Sequence, residues 1–151
     1  MGVRVQEAAF DPGQELSAVL APRPGVGAVA CFVGLVRDMN QETRVQEMTL
    51  EHYPGMTERA LEDIVREAAA RWQIQDSLII HRVGQLRPCD PIVLVAVACA
   101  HRGEAFAACE FIMDALKTRA PFWKKERTPE GERWVDARDS DAAAAARWSS
   151  P

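Results

Sequence analysis

An α+β domain with a largely antiparallel sheet is the fold this sequence predicts, and three observations predict it. Strand-like and helix-like segments follow one another in unequal order rather than in strict alternation. The two richest runs of branched aliphatics, 77–83 and 91–100, are separated by a short segment containing Pro88, which favours a hairpin or a similar short connection. Near the C-terminus, Thr128-Pro129-Glu130-Gly131 has Pro second and Gly fourth, the order a type I turn favours, and strand-like runs flank it.

Val3 to Val5 alternates as a short strand would, and a helix is predicted near residues 14–21, ended by Pro22-Arg23-Pro24-Gly25. Residues 27–34, apolar and bounded by glycines, read as a buried strand that feeds a polar loop over 37–44. Residues 47–53 alternate polar and apolar, the period of a half-exposed strand that Pro54-Gly55 ends. Met56, Ala60, Leu61, Ile64, Val65, Ala68 and Trp72 recur at helical spacing, with Thr57 placed to cap and Glu58 favourable in the first turn. After Ala100 the period returns to helical through Ala105, Phe106, Cys109, Ile112, Met113 and Leu116, until Pro121 forbids continuation. Residues 122–127 and 132–136 form the predicted C-terminal hairpin, and 142–146 is an alanine run that suits a short helix or a frayed tail equally.

Composition narrows the function classes. With 151 residues and no repeat or interdomain linker, one domain spanning 1–151 is expected. No apolar run reaches the roughly 18 residues a membrane helix needs, and Met1 to Phe10 lacks a secretory layout, so a cytosolic protein is expected. Cys31, Cys89, Cys99 and Cys109 show no metal or disulfide spacing, and three of them lie in apolar segments where a thiol behaves as a small hydrophobe. A net charge of −4 disfavours nucleic acid, yet Lys117, Arg119, Lys124, Lys125 and Arg127 gather against the single acid Glu126. That segment attracts anions.

Three places carry candidate chemistry. His101 and Arg102 open a helix, where free backbone N–H groups and two side-chain donors suit a phosphate; on spacing alone they serve equally as a cap and a surface charge. Lys117, Lys124 and Lys125 flank Pro121-Phe122-Trp123, and a lysine acts as base or nucleophile only where burial or neighbouring cations depress its pKa, which this segment offers. A solvated basic face over core aromatics is the alternative. Arg37 follows the 27–34 strand, where a guanidinium could pair with phosphate oxygens or simply face water. His52 and His81 lack a carboxylate or thiolate ligand set, and no P-loop, G-x-G-x-x-G or G-x-S-x-G motif occurs, so no metal and no nucleotide cofactor is expected.

LEHYPGMTERAL (50–61), HRVGQL (81–86), AHRGEAF (100–106), FIMDALKTRAPFWKKE (111–126) and the TPEGERWVDARDSD that follows resemble, in order, the large subunit of molybdopterin synthase. The resemblance runs from about Gly27 to Trp148 and implies an α/β hammerhead fold. It also implies a homodimer at the centre of a heterotetramer, with a small ubiquitin-like partner whose Gly-Gly thiocarboxylate supplies sulfur to cyclic pyranopterin monophosphate, without a metal or cofactor. By position, Lys117 and Lys124 match the catalytic lysines. Arg37, His101, Arg102, Lys125 and Glu126 match substrate contacts, and Arg138 matches one expected from the other protomer. Phe32, Leu35, Val36, Met113, Pro121 and Phe122 match the pocket lining, with Leu35 standing where some relatives carry a lysine. Two rival classes are a non-catalytic module clamping an acidic partner, and a nucleic-acid binder stacking bases on Phe122 and Trp123, which would show steep salt dependence.

Overall fold

The computed structural model describes residues 2–40, 42–135 and 138–149. Its first sheet has the order β1 (Gly2–Gln6), β6 (Ile74–Arg82), β8 (Pro91–Cys99), β2 (Ala28–Leu35), with β1–β6 parallel and the other pairs antiparallel. The second has the order β10 (Gly131–Val135), β9 (Phe122–Thr128), β5 (Glu47–His52), β7 (Gly84–Leu86), antiparallel throughout. A short ribbon pairs β3 (Met39–Asn40) with β4 (Thr43–Arg44) inside the segment read as a polar loop. The α+β class and the dominance of antiparallel pairing are as the sequence predicts.

Strand β8 is the centre of the molecule because Val93 through Cys99 are all buried. Alternation divides them between two faces. Val93, Val95, Val97 and Cys99 join the main core beneath α2 (Met56–Arg71) and α3 (Arg102–Arg119), while Ala96 and Ala98 pack with Val19 of α1 (Pro12–Val19). Helix α2 forms because Leu61, Ile64, Val65 and Ala68 make one apolar stripe, and burying each large aliphatic contributes about 1.5–3 kcal/mol. A smaller core of Val36, Met48, Leu50, Val83 and Leu86 lies on the second sheet, and Phe122 packs against both cores.

Several expectations are corrected. Helix α1 starts two residues early because Asp11 Oδ1 accepts from Gly13 N and Gln14 N, and because Pro12 suits the first helical position. Strand β2 is an edge, not a buried strand, and leaves Cys31, Phe32 and Leu35 exposed. Its start requires Gly27, since a Cβ there would lie 2.2 Å from the Ala100 carbonyl oxygen. Thr57 does not cap α2; it lies inside the first turn, buried, and Gly55 is the cap. The connection between β6 and β8 contains β7, which leaves for the second sheet. The C-terminal hairpin forms with Gly131 at φ +119, a conformation that favours glycine; Asp136 lies outside the described residues. The alanine run is helical, as α4 (Asp139–Ala146), and Trp148 packs edge-on against Trp72 and Phe111. All four cysteines are free; Cys99 and Cys109 are buried, whereas Cys31 and Cys89 are exposed. Among the described residues no helix is long and apolar enough to cross a membrane.

Candidate functional site

The chain turns a corner where α3 hands over to β9, and the basic segment lies on that corner. Ala120 takes extended backbone and Pro121 cannot continue the helix, so Lys117 is left in its last turn and Lys124 in the strand that follows. Thr57 fixes the corner from α2: its Oγ1 accepts from Tyr53 N at 3.0 Å and donates to the Pro121 carbonyl at 2.9 Å.

The two lysines sit close enough to interact. Lys117 reaches the surface, but the protein around its amine is dense, and dehydration is the chief cause that lowers its pKa from the usual lysine range. The charge of Lys124 lowers it further and Arg138 adds to this, while Asp141 opposes. Lys124 is held differently, its Nζ 3.6 Å from Glu126 Oε1. Glu126 is 2% exposed; it accepts from Asn40 Nδ2 at 2.6 Å and from Arg133 Nη2 at 3.2 Å, and Arg133 also donates to the Asn40 carbonyl. This network ties the Arg37–Arg44 segment to β9 beside Lys124. A buried carboxylate satisfied by three partners repels an anion and suits holding a lysine, not touching a phosphate.

Strand alternation separates the remaining predicted contacts. Lys125 points to the opposite face from Lys124, where its Nζ lies 5.5 Å from the Trp134 ring centre and 3.5 Å from Glu132. His101 is the N-cap of α3 and Arg102 its first residue, both exposed, so about 22 Å of helix separates Arg102 from Lys117. The two residues expected to contact the same substrate as the lysines are therefore remote from them within one chain. Arg138, expected from another protomer, lies within electrostatic reach of Lys117 in its own chain. Arg37 is exposed just beyond β2, near Phe32 and Leu35 in sequence, whereas Val36 and Met113 are buried members of the two cores. Pro121 and Phe122 are half-buried at the corner.

Three neighbours escaped the sequence reading. Arg133 was recoverable, because the predicted turn sets Glu126 opposite Arg133 in the hairpin register. Asn40 was not, since nothing local marks a contact 86 residues distant. His81, set aside with His52 as a non-ligand, is buried and stacks on Phe122 with ring centres 3.9 Å apart and planes 18° from parallel.

An α+β domain thus brings an amine of lowered pKa, an ion-paired amine and a further cation to one corner, a set of groups suited to an anion. The family model described as MoaE protein matches residues 5–119, and the chain belongs to that family. It is 66% identical over 146 residues to the molybdopterin synthase catalytic subunit of Ralstonia nicotianae, covering 97% of this chain and 83% of that one. It is 61% identical to the corresponding subunit of Pseudomonas aeruginosa, covering 98% and 99%. Among solved structures, the molybdopterin biosynthesis MoaE protein from Burkholderia ambifaria superposes with a TM-score of 0.82 at 60% identity, covering 97% and 96%.

Proposed function

We propose that this chain, acting as one domain over 1–151, is the catalytic subunit of a molybdopterin synthase and works in the cytosol. In this reading it takes sulfur from the C-terminal thiocarboxylate of a small ubiquitin-like subunit and transfers it to cyclic pyranopterin monophosphate, forming the dithiolene. The observation that carries it is the pairing of Lys117 with Lys124 at the α3–β9 corner, in a chain whose relatives bear that enzyme's name.

The two amines suit different tasks. Lys117, with its lowered pKa, is the group to accept and return a proton as the thiocarboxylate sulfur attacks the precursor. Lys124, fixed against Glu126, supplies a positioned positive charge for the oxyanion that develops at the thiocarboxylate carbonyl. Arg138 adds positive potential from the same chain, and Arg37 stands on the segment that Asn40 fastens to Glu126. His101 and Arg102 are proposed to bind the precursor's phosphate, and their distance from Lys117 favours delivery from a second copy in a homodimer flanked by two carrier subunits.

The test mixes the purified chain with thiocarboxylated carrier and cyclic precursor. Dithiolene product is expected, and its absence from correctly folded protein would overturn the reading. Lys117→Ala should nearly abolish product while leaving the fold intact, whereas Arg102→Ala should mainly raise the precursor concentration needed. Near-normal turnover by Lys117→Ala would remove its assigned role.

A further inference from the structure

Resting on the function just proposed, we infer that His81 is a positioning residue for sulfur transfer: a neutral, hydrogen-bonded imidazole that acts as the plate on which Phe122, and through it the segment joining Lys117 to Lys124, is set.

Four observations meet at this residue. His81 is 5% exposed near the end of β6, paired with Val93 of β8 and Val5 of β1, and is thus part of the rigid first sheet. Its Nδ1 lies 2.8 Å from the Arg82 carbonyl oxygen, which can only accept; Nδ1 therefore carries the hydrogen and the ring orientation is fixed. Its face lies against Phe122, the first residue of β9 and paired with His52 of β5 in the second sheet. The stack is therefore a joint between the two sheets, at the residue that separates the lysine of the helix from the lysine of the strand. The ring is also kept uncharged: burial, opposed by the bond to the Arg82 carbonyl, lowers its pKa to about 4, and the charges of Lys117 and His52 push the same way.

This arrangement does something an aliphatic core residue could not. A flat ring sets both the height and the tilt of Phe122, and a neutral one adds no third positive charge beneath the lysines. Removing it leaves a hole into which Phe122 can sink, and Pro121 and Lys124 must follow. Water then gains access to the corner, and Lys117 loses the dehydration that is the main cause of its lowered pKa. The other charges that reach Lys117 are Lys124 on β9, Asp141 on α4 and Arg138 at the N-cap of α4, and those that reach His81 are Lys117 and His52, with Glu58 4.0 Å from His52. Substitution of His81 removes none of these charges; only Lys124, which follows Phe122, changes its distance from Lys117.

The experiment follows the pH dependence of Lys117 acylation by an activated ester, read by peptide mass spectrometry on the folded chain, alongside the pH profile of turnover. In His81→Ala and His81→Gln the Lys117 midpoint should rise by about half to one pH unit, giving roughly three- to tenfold less reactive amine at neutral pH. The acid limb of turnover should move with it. His81→Phe, flat and neutral, should restore both. Loss of folded fraction would scale turnover without moving its acid limb, and because unfolded chain acylates as an ordinary lysine the midpoints are compared only between variants shown to be fully folded by circular dichroism. An unmoved midpoint in His81→Gln, or a His81→Phe variant displaced as far as His81→Gln, would overturn the inference; if His81→Ala does not fold, this pair decides alone. Acylation needs no substrate, so a wild-type chain that makes no dithiolene counts against the functional reading and leaves the His81 result standing.

Discussion

Single side chains at the α3–β9 corner titrate in ways that can be checked one at a time. Three causes lower the Lys117 pKa, dehydration first, the Lys124 charge second and the Arg138 charge last. Lys124→Met removes the second, so the Lys117 titration should move upward, a shift that an acylation profile reads directly; an unmoved or lowered midpoint would show that the two amines do not sense each other. His81 gives a stability signature. Its folded pKa is depressed from 6.5 to about 4, so the unfolded chain takes up a proton in a range where the folded chain does not. Its contribution is fully present above pH 6.5, is lost as pH falls toward about 4, and amounts to on the order of 3 kcal/mol. Urea midpoints across this window should fall with acid in the wild type and fall less in His81→Phe. Glu126 is tested by substitution instead. Glu126→Gln keeps an acceptor for Asn40 but leaves Lys124 and Arg133 without their counter-charge, and because both partners are partly exposed the cost should be about 1–3 kcal/mol. Turnover should fall further than this loss of stability alone explains, since Lys124 is no longer held.

At the scale of elements, the corner stands because α2 reaches across to it. Thr57→Val keeps the shape of the side chain but strips the partners from Tyr53 N and the Pro121 carbonyl, which should destabilise the fold by about 1–3 kcal/mol and loosen the lysine pair. Thermal melting and turnover, measured together, check both parts. This residue also shows how far the sequence could be read. Helical periodicity located α2 and α3 because burial in one stripe leaves a local trace, and Pro121 located the corner because a ring without an N–H is visible in the chain itself. Thr57 looked like a cap because caps are also local, yet its hydroxyl serves a carbonyl 64 residues away. The apolar run of β2 gave no sign that it would be an edge strand, since sheet order is a matter of which strands meet and not of any one strand's composition. Lys117 and Lys124 were legible as a pair through the few residues that separate them, and Glu126 as their neighbour; that Glu126 is a buried counter-charge, and that His81 stacks on Phe122, emerged only once the strands were aligned.

The whole molecule poses one question that its elements cannot answer alone: where Arg102 does its work. A rigid helix keeps it about 22 Å from the Lys117 of its own chain, too far for both to touch one small phosphorylated pterin. Symmetry offers a resolution, because a two-fold dimer repeats each surface twice and can bring the start of one α3 to the end of the other. If so, two variants that each fail at low precursor concentration should rescue each other. A Lys117→Ala chain refolded together with an Arg102→Ala chain forms mixed dimers in which one site carries both defects and the other carries neither. With random pairing, half the dimers are mixed and half their sites intact, so recovery should approach about a quarter of wild-type activity at low precursor concentration. Were each site built from a single chain, every site in every dimer would keep one defect, and the mixture would show no more than the average of its two components.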